Sequence, residues 1–108
     1  MAEPPPWRAI LRLYDALLAL RDDPVIRVNR VVALAEVSGV DIALQELEAL
    51  DAGALARFPP YHAVRADLLR RKGRYEDARA AYDAVLALDP GPAERIWLQR
   101  QKDSLAAA

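Results

Sequence analysis

Gly73-Arg74-Tyr75-Glu76-Asp77-Ala78-Arg79-Ala80-Ala81-Tyr82-Asp83-Ala84-Val85-Leu86-Ala87-Leu88-Asp89-Pro90 reads as a tight turn followed by one complete amphipathic helix. Gly73 has no Cβ and can take the positive φ that follows a helix C-terminus. A preceding helix over Tyr61 to Lys72 therefore ends there, and the chain reverses into a helical hairpin. Tyr75, Ala78, Ala81, Tyr82, Val85 and Leu88 recur at three- and four-residue steps and share one face. Small Ala78 and Ala81 let a neighbouring helix approach closely, while Tyr82 and Leu88 fill the space beside that contact. Asp89-Pro90 stops the helix, because proline disfavours the α conformation in the residue before it.

Outward from this hairpin the same grammar repeats. Trp7, Ile10, Leu11, Tyr14, Leu17 and Leu18 form a broad apolar stripe over Trp7 to Leu20, with Arg8, Arg12, Asp15 and Arg21 mostly off it. Asp22-Asp23-Pro24 closes that helix; Asp23 is placed to cap the next one, with Pro24 at its first position, where a missing N–H costs nothing. The second helix runs to about Val37 and carries apolar residues on two sides, which predicts burial between neighbours. Ser38-Gly39 ends it, and Asp41 begins a third helix with Ile42, Leu44, Leu47 and Leu50 inward. Residues 51–60 predict a loop, with a single turn around Leu55. After Gly91, Pro92 starts a last helix of capping character, whose large apolar residues include Ile96, Trp97 and Leu105.

The order Gly, aromatic, Ala, aromatic, small or β-branched residue, Asp-Pro resembles the second helix of a tetratricopeptide repeat. Setting Ala43 against Ala78 puts the two hairpins 35 residues apart (78 − 43), close to the ~34-residue period of that class. The expected fold is all-α: a tetratricopeptide-like helical repeat of about six helices, two repeat hairpins flanked by an N-terminal helix and a C-terminal capping helix. Its expected organisation is a Pro-rich linker over residues 1–6 and one helical domain over 7–106.

Composition narrows the function classes. The chain has 108 residues with 15 basic and 16 acidic side chains, so no global field draws it to nucleic acid or an anionic membrane. There is no cysteine, which removes disulfides, thiolate nucleophiles and thiolate metal sites and suits a reducing, cytoplasmic setting. No apolar run approaches the ~18 residues of a spanning helix.

Several strings go beyond a generic repeat. Trp7-Arg8-Ala9-Ile10 with Leu13-Tyr14-Asp15-Ala16-Leu17-Leu18, then Pro24-Val25 with Val28 to Glu36, then Tyr61-His62 with Arg65 to Arg70 and Gly73-Arg74, together resemble one family across most of the chain. It is the tetratricopeptide-like C-terminal extension of a subgroup of bacterial extracytoplasmic-function (ECF) RNA polymerase sigma factors. The resemblance implies a regulatory module that contacts sigma regions, RNA polymerase or a signalling partner. The promoter-reading and polymerase-binding regions of that family have no counterpart in these residues, so direct nucleic-acid contact is not expected. The alternative is a free-standing tetratricopeptide adaptor that grips a peptide or helix of a partner protein.

Chemistry is sparse. His62 is the single histidine and reads as a structural residue beside Tyr61. Ser38 and Ser104 are the only serines, and neither sits in a nucleophile pattern. The glycines are isolated turn residues and form no phosphate cradle. No catalytic residue, cofactor site or metal site is expected. Arg70-Arg71-Lys72-Gly73-Arg74 reads as a solvated turn whose charges complement a helix C-terminus. Repeat register puts Val25, Val28, Val32, Ala63, Asp67, Arg70 and Arg71 along a candidate partner groove. Asn29, Arg30, Glu36, His62, Arg65 and Asp67 form a candidate structural polar network, with Arg65 expected to pair with Glu36 and Asp67 with Arg30. Asp67 belongs to both sets, so internal glue and partner groove both stay open.

Overall fold

The computed structural model describes residues 5–105, and their regular structure is helical throughout. Residues 1–4 of the expected linker and residue 106 of the expected domain lie outside the described residues. Seven helices follow one another: α1 (Trp7–Leu20), α2 (Pro24–Ser38), α3 (Val40–Glu48), α4 (Ala52–Leu55), α5 (Pro59–Arg71), α6 (Tyr75–Leu86) and α7 (Pro92–Leu105). The helix beyond the expected six is the single turn around Leu55. This is a tetratricopeptide-like helical repeat. It divides into two compact units, residues 1–51 and 52–108.

In the first unit α2 packs on both α1 and α3, the two-sided burial that its apolar pattern predicts. Asp23 Oδ1 accepts from the Val25 N–H at 2.8 Å and Pro24 opens the helix, so two backbone donors need no further partner. Gly39 alone separates α2 from α3, at φ 96° and ψ 163°. Only glycine takes that conformation without strain. The core comprises Val28, Val31, Ala33, Leu34 and Ala35 of α2 with Ala43, Leu44 and Leu47 of α3. Ile42, expected inward, is instead about half exposed, because Ala43, Leu44 and Leu47 turn the next arc of the helix towards α2.

In the second unit α6 packs on both α5 and α7. The α5–α6 turn closes with the Gly73 N–H on the Arg70 carbonyl (3.0 Å) and the Arg74 N–H on the Leu69 carbonyl (2.9 Å), with Gly73 at φ 84°. This pair of bonds is a Schellman motif, and it satisfies carbonyls that the helix end would otherwise leave unbonded. The start of α5 lies at Pro59, two residues before the expected Tyr61, because Pro59 and Pro60 occupy first-turn positions that need no N–H partner. Helix α6 ends at Leu86, short of the expected Leu88, and Asp89 reverses the chain at φ 57° ahead of Pro90. Ala78, Ala81, Tyr82 and Val85 are buried, while Tyr75 is 40 % exposed at the first turn. In α7 the buried pair is Leu98 and Leu105, seven residues apart. Ile96 and Trp97 lie outside that stripe and stay exposed, at 55 % and 54 %.

Candidate functional site

Side chains on the first helix of each hairpin carry the candidate functions, and the two units are described in turn. On α2, Val25 and Val32 are exposed whereas Val28 is fully buried. Val28 therefore leaves the candidate groove. It lies on the arc of Val31 and Ala35, which α2 turns into the core, and a partner cannot reach it. The open ridge of α2 is Val25, Asn29, Val32 and Glu36, at steps of four, three and four residues, each exposed to solvent. Asn29 and Glu36 are thus exposed on the surface of α2. The sequence places Val25 and Val32 in an expected groove and Asn29 and Glu36 in an expected polar network; the i, i+4, i+7, i+11 spacing is the available signal that the four share one ridge.

Arg30 ties helices together in this unit. Its Nε donates to Asp15 Oδ1 at 2.7 Å, and its Nη1 donates to Glu46 Oε2 at 2.6 Å, so a single guanidinium bridges α1, α2 and α3. A planar fork with five donors can serve two carboxylates at once. Next to it Arg27 donates to both oxygens of Asp22, at 2.7 and 3.0 Å. The Arg27 hydrogen bond holds the Asp22 carboxyl below its ordinary value, and the same bond holds Arg27 above its own. These groups, with Val31, Ala49 and Leu50, line a cleft of about 410 Å³. Its charges already satisfy one another, so a charged ligand entering it would have to displace an existing pair.

In the second unit, Asp67 accepts from Arg70 Nη2 at 2.6 Å and lies 3.6 Å from Arg71 Nη1. Arg70 also interacts electrostatically with the hydroxyl of buried Tyr82, which couples α5 to α6. The Asp67 hydrogen bond holds the Arg70 guanidinium above its ordinary value, while burial pushes the Tyr82 hydroxyl up against a smaller downward pull from Arg70. Arg70 Nε is enclosed without an acceptor among the described residues. Ala63, Arg65, Asp67 and Arg70 are half-buried and Arg71 is exposed. None of Asn29, Arg30, Glu36, His62, Arg65 and Asp67 is fully buried. His62 Nε2 lies 2.7 Å from the Ala56 carbonyl, and its ring meets Tyr61 edge-on at 5.0 Å, bracing the start of α5 against the turn after α4. The basic turn is largely neutralised from within: Arg70 and Arg71 face Asp67, and Arg74 donates to Asp77 at 2.7 Å.

Residues 59–92, spanning α5, α6 and the turn into α7, match the family model of the tetratricopeptide repeat. The chain is also 38 % identical over 101 residues to a protein of Rhizobium meliloti (strain 1021) that is described only as uncharacterized. That match takes in 94 % of this chain and 24 % of the relative, so the chain spans about a quarter of the length of the curated relative it matches. No solved structure matches it. Tetratricopeptide repeats are units of protein–protein interaction and are generally not catalysts. No helix among the described residues is long and apolar enough to cross a membrane.

Proposed function

We propose that this helical repeat is a non-catalytic regulatory module of an ECF sigma factor, modulating transcription initiation through contacts with sigma regions, RNA polymerase or a signal partner. The observation that carries this reading is the ordered set of strings from Trp7 to Gly73-Arg74, placed on α1, α2 and α5. The relative's length fits it: almost all of this chain aligns within about a quarter of a longer polypeptide, as an appended module would. The mechanism is a shift of population. A partner that binds one arrangement of the module changes how often the DNA-reading regions are available, by no more than its difference in affinity for the two arrangements.

Contact surfaces follow from what solvent reaches. On α2 they are Val25, Asn29, Val32 and Glu36; on α5 and its end they are Ala63, Asp67, Arg70 and Arg71. The test is to delete the segment matching Trp7 to Leu105 from a full-length sigma protein and measure transcription from its target promoter. A changed output supports the reading, and an unaltered output sinks it. A reading frame around this sequence that contains no sigma regions would leave the free-standing adaptor in its place.

A further inference from the structure

Helix α1 is apolar over far more of its circumference than α2 covers. Trp7, Leu11, Tyr14 and Leu18 are half-buried on the arc towards α2. A second arc follows on the adjoining side. Leu13, Leu17 and Leu20 stand 60 %, 38 % and 86 % exposed at steps of four and three residues, the spacing by which one helix receives another. Small Ala9 and Ala16, seven residues apart and exposed, border this arc and admit a close approach.

Charge selects the occupant. Arg12 and Arg21 flank the leucines, and neither has an acidic partner among the described residues. The single acid within α1, Asp15, is held by Arg30, and Asp22 just beyond it is held by Arg27. A second copy of this chain would bring the same uncompensated arginines against them. A small apolar patch rimmed by unpaired cations suits a ligand that supplies both a leucine-like stripe and carboxylates.

We propose that the outer face of α1 docks an acidic amphipathic helix of a protein partner, Leu13, Leu17 and Leu20 taking its apolar stripe and Arg12 and Arg21 its carboxylates. This deepens the interaction reading above and rests on it. An acidic rim steers encounter and fixes register, while the leucines supply the contact that excludes water.

The test uses this chain and two labelled synthetic helical peptides that share one leucine stripe, one flanked by Glu and the other by Lys, followed by fluorescence anisotropy. The Glu peptide is expected to bind at least roughly tenfold more tightly than the Lys peptide. Leu13→Glu, a change at an exposed position, abolishes this binding with helicity by circular dichroism unchanged. Arg12→Glu combined with Arg21→Glu inverts the preference towards the Lys peptide. Equal binding of both peptides, or binding indifferent to Leu13→Glu, overturns the proposal. So does concentration-dependent self-association removed by Leu13→Glu, which makes a second copy the occupant, or α1-dependent binding to phosphatidylserine vesicles but not to the peptide. The promoter measurement separates the two ideas. Altered transcription on deletion without Glu-peptide binding refutes the α1 site alone; Glu-peptide binding with unaltered transcription refutes the sigma reading and keeps the site.

Discussion

Removing one oxygen atom, in Tyr82→Phe, tests how residues 52–108 hold together. The aromatic ring stays, so the volume between α5 and α6 remains filled and no cavity opens. What is lost is the hydroxyl that interacts with the Arg70 guanidinium. A hydrogen bond to a charged group contributes about 1.5–3 kcal/mol when its loss strands the partner. Arg70 is not stranded, because its side chain is 37 % exposed and retains Asp67 at 2.6 Å. The expected loss is therefore about 1 kcal/mol, which for a unit of this size lowers the melting temperature by about 4–8 °C. Urea titration followed by far-ultraviolet circular dichroism at neutral pH measures it. The pH dependence supplies a second handle. Burial raises the Tyr82 hydroxyl above its ordinary value of 10.0, so as pH rises past that value the unfolded chain sheds this proton while the folded protein keeps it. The native protein thus holds its full Tyr82 contribution below pH 10.0 and loses it as pH climbs through the raised folded value. The Phe variant has no such component, so the stability gap between the two proteins narrows in that alkaline range. A loss above about 3 kcal/mol, the scale of a cavity, would refute the reasoning. So would no loss at all, or a gap that stays constant through the alkaline range.

Four further substitutions probe other parts of the fold. Leu47→Ala, at a fully buried α3 position, should cost about 3 kcal/mol through lost contacts and a residual cavity, read by urea denaturation; Leu13→Ala on the exposed arc of α1 should cost less than about 0.5 kcal/mol in the same assay. Gly39→Ala should cost about 1–3 kcal/mol although an added Cβ meets nothing within 4 Å, because the penalty comes from φ 96° and ψ 163° alone. Arg30→Met should cost about 1 kcal/mol, discounted because Asp15 and Glu46 are half exposed, and the difference from the native protein should shrink in 1 M salt, where ~3 Å screening lengths weaken exposed pairs.

Much of the architecture was legible because it depends on local chemistry. Asp23-Pro24, Gly39, Gly73 and Asp89-Pro90 mark helix limits through φ restrictions and missing donors, which act wherever the chain goes. Ala78, Ala81, Tyr82 and Val85 share a face by helical period alone, and all four are buried. Boundaries slipped by two residues at Pro59 and Leu86, where a turn can continue or fray at little cost.

Which apolar residue is inward, and which charge meets which, depended on neighbours that a periodic pattern does not name. Val25, Val28 and Val32 are chemically alike, yet only Val28 is sealed, because α1 and α3 close over one arc of α2 and leave the next open. Ile96 and Trp97 look like core residues in a polar helix, but α6 meets the arc of Leu98 and Leu105. Arg30 found Asp15 and Glu46, and Asp67 found Arg70 and Arg71, since each long side chain takes the nearest acceptor the folded helices offer. Backbone preference is written residue by residue and can be read in one dimension; burial and ion pairing are relations between surfaces, and they exist only once the helices have been set side by side.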